Sequence, residues 1–144
     1  MLRSEVIHSI QDQLILHEDI KLKPYRCTAG KLTIGVGRNL EDKGISKAEA
    51  LFLLDNDIAE VEDAIKGYDW VQRLDPIRRK VIVDMAFNLG VSGLRGFRRM
   101  IAALEQRDYE QARIEMMDSK WFLQVKTRGI RLVEMMRTGK DYKL

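Results

Sequence analysis

The chain has 144 residues, 45% hydrophobic and 33% charged, with ten Gly, two Pro, two His and one Cys. That length supports one domain with a core that removes roughly 70% of the unfolded chain's surface from water; the composition excludes a linker-rich protein, an internal disulfide, a Cys/His zinc site and a membrane span, because charges interrupt every apolar run before the ~18–20 residues a span needs. The net charge of +3 is uneven, with residues 95–144 at +5 and residues 1–94 at −2, so the C-terminal half either suits an anionic polymer or forms a solvated helical surface.

In chain order, Val6, Ile7, Ile10 and Leu14 fall at helical spacing and predict an amphipathic helix over residues 3–17. Polar and charged residues interrupt it, so it lacks the apolar core and cleavage site of a secretory signal, and the chain reads as a soluble protein made in a cytoplasm. Pro24 disfavours helix at Lys23. Gly30, Gly35 and Gly37, with the β-branched Thr33, Ile34 and Val36, predict a short hairpin whose tip is near Ala29-Gly30-Lys31. Ser46 and Glu49 form a Ser-x-x-Glu capping box. Leu51, Leu54, Ile58, Val61 and Ile65 then read as one buried stripe ending at a Gly67 C-cap. Asp75-Pro76 is an N-cap followed by Pro at the first helical position. Ile77, Val81, Met85 and Leu89 share a face until Gly90, and shorter helices are expected near 94–106, 108–117 and 128–138. The fold class is α+β: a single mostly helical domain over 1–144. A small β-hairpin lobe of about 19–45 is inserted after the N-terminal helix, which joins a helical lobe of about 46–144.

The hairpin carries the sharpest chemical clue. With Gly30 at its tip, Cys27 lies opposite Thr33, both side chains on one face, and Tyr25 pairs with Gly35. Glu18 ends the first helix, where the negative end of the helix dipole disfavours its ionisation and partial burial would disfavour it further. A carboxylic acid held protonated near neutral pH is what leaving-group protonation needs. Alone, each residue has a plainer reading: a solvated glutamate, a small apolar cysteine, a threonine favoured by strand geometry. Their spacing brings them together across a cleft between helix and hairpin. His8 and His17 read as surface or capping residues, the seven Met as core filler and Trp70 and Trp121 as packing. Acid/base chemistry of this kind needs no metal and no organic cofactor.

The stretch EDIKLKPYRCTAGKLTIGVG, Glu18 to Gly37, resembles the catalytic segment of the phage-type lysozymes, the endolysins of glycoside hydrolase family 24. Their pattern is Glu, eight residues, Asp or Cys, five residues, Thr; here it is Glu18, Cys27 and Thr33, with the Thr-Ile-Gly-x-Gly run. The likeness continues through Ser46, LDPIRRKVIVDMAFNLG at 74–90 and WFLQVKTRGIRLVEMMRTG at 121–139. It implies a lysozyme-like fold and hydrolysis of the β-1,4 bond between N-acetylmuramic acid and N-acetylglucosamine in peptidoglycan, for host-cell lysis. Glu18 would be the general acid, while Cys27 and Thr33 would hold or activate a water on the opposite face of the sugar, with inversion. Arg128 would approach Glu18 and orient it. Phe87 and Asn88 would line the sugar cleft. Arg38 and Asp57 stand where the family often has His and Asp, so a salt bridge between them is expected to tie the lobes.

Cys27 is the departure that matters. A thiol with a pKa of ~8.5 is only a few per cent thiolate at pH 7, whereas an Asp at ~3.9 is fully ionised. Cys27 is a thiolate base or nucleophile, or it positions Thr33 and the water, or Asp19 substitutes; neighbours on a helix point ~100° apart, which counts against Asp19. Two further readings share the fold: a lytic transglycosylase, in which the sugar's own 6-hydroxyl attacks, and a non-catalytic wall-binding or virion structural domain. Nucleic acid is not an expected partner, because no aromatic residues interleave with the basic ones. The expected partner is the cell wall, met by a monomer without a stable membrane anchor. It would wait in the host cytoplasm for a holin before acting on the periplasmic wall.

Overall fold

The computed structural model describes residues 6–144. In chain order they form α1 (Ile10–Glu18), β1 (Lys21–Arg26), β2 (Leu32–Gly35), β3 (Arg38–Asn39), α2 (Lys47–Ile65), α3 (Asp69–Gln72), α4 (Pro76–Arg95), α5 (Arg98–Glu105), α6 (Tyr109–Met117), α7 (Lys120–Val125) and α8 (Thr127–Thr138). This is the mainly helical α+β fold that the sequence predicts. Two compact units emerge, Met1–Leu51 and Phe52–Leu144. The helix α1 belongs to the first, with the sheet, and not to the helical unit.

In the first unit, α1 starts later than the periodicity suggests. The Ser9 hydroxyl accepts from the Asp12 N–H at 2.9 Å and caps the helix, so Val6–His8 lie ahead of it; residues 3–5 of the expected helix lie outside the described residues. The helix stops at Glu18 because Asp19 takes φ +65° and returns its N–H to the Ile15 carbonyl at 2.8 Å. Ile10 and Leu14 are exposed, so the apolar spacing of α1 marks no buried stripe.

The sheet is antiparallel in the order β1-β2-β3, one strand more than the predicted hairpin. Its register differs from the expected one. Tyr25 pairs with Thr33 and Arg26 with Leu32. The Gly30 N–H donates to the Cys27 carbonyl at 2.8 Å and the Cys27 N–H to the Lys31 carbonyl at 3.0 Å. The loop is therefore Thr28-Ala29-Gly30, a turn closed by a left-handed residue, and Gly30 supplies φ +77° at its end and not at its centre. Cys27 becomes the diagonal neighbour of Thr33 on the same face, not its direct partner. A second tight turn, Gly35-Val36-Gly37, leads into β3, with φ +69° and +66° at its two glycines.

The capping box at the start of α2 is reciprocal: the Glu49 N–H donates to Ser46 Oγ at 3.1 Å and the Ser46 N–H to Glu49 Oε1 at 2.9 Å. The predicted stripe beyond it is not buried throughout. Leu51 and Leu54 are exposed, Val61 packs against the core and Ile65 alone in α2 is buried, so the helix enters a core only at its far end. Gly67 follows the helix without a positive φ, so it is no left-handed C-cap.

The second unit holds the core. Asp75 caps α4 by accepting from the Arg78 N–H at 3.1 Å, with Pro76 at the first position. Val81, Ile82 and Met85 are fully buried there. Gly90, at φ 80° and ψ 156°, breaks the helix where the sequence places its end, but a further turn to Arg95 follows, so α5 begins at Arg98 and not at 94. The short helices α3 and α7 escape the periodicity reading; α7 is set by Ser119, whose hydroxyl accepts from the Phe122 N–H at 3.1 Å. Trp70 and Trp121 are packing residues as expected: Trp70 stacks on Tyr68 at 5.9 Å and Trp121 meets Phe97 edge-on at 6.0 Å.

Candidate functional site

Glu18, Cys27, Thr33 and Arg38 all lie in the first unit. Glu18 ends α1 and is exposed, not partly buried, and its carboxyl lies against the backbone of Gly37 in the second turn of the sheet. A Cβ on Gly37 would stand 2.9 Å from Glu18 Oε2 and 3.2 Å from its carboxyl carbon. The helix end and the sheet turn thus meet at the carboxyl group.

Cys27 is partly exposed at the mouth of the Thr28-Ala29-Gly30 loop. The nearby backbone N–H groups of Lys31 and Ala29 and the Thr33 hydroxyl favour the thiolate and hold Cys27 below its ordinary pKa. Thr33 is 3% exposed, and its hydroxyl also donates to the Lys31 carbonyl at 2.8 Å. Thr33 is closed in, and it reaches the surface chemistry through Cys27.

Arg38 does not pair with Asp57. Its guanidinium forks onto Glu49, with Nη1 to Oε1 at 2.8 Å and Nη2 to Oε2 at 2.8 Å. Glu49 sits at the third position of α2, beside the end of β3, whereas Asp57 lies more than two turns further along the helix. The nearer carboxylate takes the arginine, and the geometry is bidentate. Arg38 and Ser46 hold the Glu49 carboxyl down at about 2.

The remaining residues lie in the second unit, where Phe87 and Arg128 line a groove of about 550 Å³ with Leu54, Ile58, Val83 and Asp84. Phe87 is 43% exposed and also borders an adjoining groove with Asp57 and Val91, so an aromatic face is open to a ligand. Asn88 is exposed, but its amide oxygen accepts from the Trp121 indole N–H at 3.0 Å, which leaves its NH₂ group free to donate outward. Arg128 donates through Nε to Asp84 Oδ1 at 2.7 Å. Asp84 is a residue that sequence reasoning missed; it lies three before Phe87, on the same side of α4, and that spacing was the available signal. Among the described residues no group of three or more His, Cys, Asp or Glu side chains is placed to hold a metal ion.

The family model described as phage lysozyme matches residues 16–134, which run from the end of α1 into α8 and include every candidate site residue. The chain is 26% identical to the probable T4-type lysozyme 2 of Dictyostelium discoideum over 96% of its own length and all of that protein. It is 34% identical to the SAR-endolysin of Escherichia phage Mu, over 76% of this chain and 64% of the endolysin. It is 28% identical to the pre-baseplate central spike protein of Enterobacteria phage T4, over 91% of this chain and 28% of that longer protein.

Proposed function

This chain belongs to the phage lysozyme family, and from that premise we propose that it hydrolyses the β-1,4 bond between N-acetylmuramic acid and N-acetylglucosamine in bacterial peptidoglycan. The observation that supports the reading is that one small unit carries both the Glu18 carboxyl, lying against Gly37, and a Cys27 thiol held below its ordinary pKa by Lys31, Ala29 and Thr33. Glu18 donates its proton to the departing glycosidic oxygen. Cys27, as thiolate, takes a proton from the water that attacks the anomeric carbon from the opposite face. The product is inverted, and one proton passes from sulfur to carboxylate through solvent before the next turnover. Thr33 aims the sulfur. The groove of the second unit, with the open face of Phe87 and Arg128, binds the sugar chain, and the exposed NH₂ of Asn88 adds a donor next to Phe87 in the chain.

Thiol and carboxyl here share an unequal contest for one proton. A thiol ordinarily ionises about 4 units above a carboxylic acid, so a pair holding one proton keeps it mostly on sulfur, the unproductive arrangement. Every unit by which the loop lowers the thiol raises the productive form tenfold, which is the chemical value of the Lys31 and Ala29 N–H groups.

The role in host-cell lysis is supported by the likeness to an endolysin; the protein would wait in the host cytoplasm as a monomer and reach the periplasmic wall once a holin opens the membrane. The likeness to a spike protein supports a second setting, in which the same chemistry serves a virion. The deciding experiment is clearing of purified walls by wild type and Glu18→Gln. Clearing by wild type alone supports the proposal, and full clearing by Glu18→Gln overturns it. Product masses then separate hydrolysis from transglycosylation, whose anhydro product is lighter by one water.

A further inference from the structure

We propose that Gly37 is a positioning residue for the acid: the bare Cα of this glycine is the seat that fixes the Glu18 carboxyl. The inference rests on the reading of Glu18 as the general acid. Two glycines flank Val36 in the turn between β2 and β3, and their backbones are nearly identical, at φ +69° for Gly35 and +66° for Gly37. Their surroundings are not. A Cβ on Gly35 would meet nothing within 4 Å. A Cβ on Gly37 would meet Glu18 Oε2 at 2.9 Å, its carboxyl carbon at 3.2 Å and its Cγ at 3.5 Å. Backbone conformation therefore explains both glycines, but close approach of a functional group explains only Gly37.

The contact bears on mechanism because an exposed glutamate at a helix end has three freely rotating bonds. Proton transfer needs the acid within hydrogen-bond reach of one oxygen, and a displacement of about 1 Å costs on the order of a hundredfold. A flat wall without a Cβ lets the carboxyl lie down on the sheet turn, so the same turn that builds the strand connection also limits where the acidic proton can be. A methyl group there would push the carboxyl off its seat by several tenths of an ångström or into another rotamer.

The matched pair of glycines provides the test. Gly35→Ala and Gly37→Ala introduce the same left-handed strain, so both should lower the unfolding temperature by similar amounts. Wall-clearing kcat should fall at least tenfold in Gly37→Ala and less than twofold in Gly35→Ala, with KM unchanged in both. Shortening the acid supplies a second readout. Glu18→Asp withdraws the carboxyl by one methylene from position 37, so adding Gly37→Ala to Glu18→Asp should cost less than twofold beyond Glu18→Asp alone. A merely structural glycine would cost the same in both backgrounds. If alanine prevents folding, Gly35→Asn and Gly37→Asn make the same comparison, since asparagine tolerates positive φ. Equal kcat losses at 35 and 37, or additive losses with Glu18→Asp, overturn the inference. Failure of the lysozyme reading is distinguishable, because Glu18→Gln would then clear walls whatever the glycine variants do.

Discussion

The Arg38 guanidinium forks onto the Glu49 carboxylate, and the same carboxylate accepts the Ser46 N–H at 2.9 Å. One side chain thus joins strand β3 to the N-terminus of α2 and completes the capping box. The arginine and the serine hold Glu49 down at about 2 from an ordinary 4.5. A carboxylate whose pKa is depressed on folding contributes stability that is present in full above its unfolded pKa and is lost as pH falls through the folded one. Glu49→Gln is expected to lower the unfolding temperature by a few degrees at pH 7. The gap to wild type should be constant above about pH 5 and close as pH falls toward 2. Thermal unfolding followed by circular dichroism at four or five pH values checks it, and a gap that widened on acidification would contradict the assignment.

Cys27 yields a prediction about rate and pH together. Replacing the thiol by a carboxylate removes most of the 4-unit mismatch with the acid, because Asp and Glu ionise within about half a unit of each other. Cys27→Asp should therefore clear walls at least several-fold faster than wild type near pH 5, with a smaller gain at pH 8, where more of the wild-type thiol is ionised. Cys27→Ala should lose at least a hundredfold, in line with removal of a general base. In the wild type the alkaline limb of kcat/KM should lie below the ordinary thiol pKa, in the direction set by the Lys31 and Ala29 N–H groups. If Cys27→Ala cleared walls as fast as wild type, the sulfur would be a packing atom only.

Local chemistry was the legible part of the sequence. The Ser46–Glu49 box, the Asp75-Pro76 start and the break at Gly90 each depend on residues within four positions of one another, and each is found where the sequence places it. The errors came where a neighbour remote in sequence decides. Whether Leu51 and Leu54 are buried depends on what packs beside α2, which periodicity does not encode. Arg38 had a choice of carboxylates, and the one adjoining the strand end took it. The hairpin register shifted because a glycine at the left-handed third position of a loop and one at the middle of a tip look alike in sequence. Glu18, Cys27 and Thr33 follow from the motif spacing, and Arg38, Asp57, Phe87, Asn88 and Arg128 from the family resemblance alone, but the seat of Glu18 on Gly37 and the partnership of Arg128 with Asp84 needed coordinates.

Phe87 separates binding from chemistry. Its ring is 43% exposed on the groove wall and so contributes little to the core. Phe87→Ala is expected to raise KM for soluble wall fragments about tenfold, which corresponds to ~1.4 kcal/mol of lost contact. Its kcat should stay within about twofold of wild type, since uniform binding is what an aromatic sugar platform supplies. Asp84→Asn tests the other side of the groove. It leaves an oxygen for Arg128 Nε but removes the charge, and a half-exposed pair contributes at most about 1 kcal/mol to stability. Steady-state kinetics with thermal melts on both variants should show affinity falling with little change in unfolding temperature. A kcat defect in Phe87→Ala would instead place the ring at the reacting centre.

Thr33 is where fold and chemistry are hardest to separate, and two substitutions divide them. Its hydroxyl donates to the Lys31 carbonyl at 2.8 Å in a 3%-exposed setting and also supports the Cys27 anion. Thr33→Val keeps the shape but leaves that carbonyl with the Cys27 N–H as its remaining donor, an expected cost of about 1 kcal/mol. It also removes one of the bonds that lower the thiol. Activity should therefore fall further than stability, and the alkaline limb of the pH–rate profile should move upward toward the ordinary thiol range. Thr33→Ser restores the hydroxyl without the methyl, and should bring the pH limb back while retaining a packing deficit. The profile of Thr33→Val in the Cys27→Asp background provides the decisive comparison: with no thiol left to tune, the valine should still destabilise the fold but should no longer shift an alkaline limb. A shift of equal size in both backgrounds would mean that Thr33 acts on some group other than the sulfur.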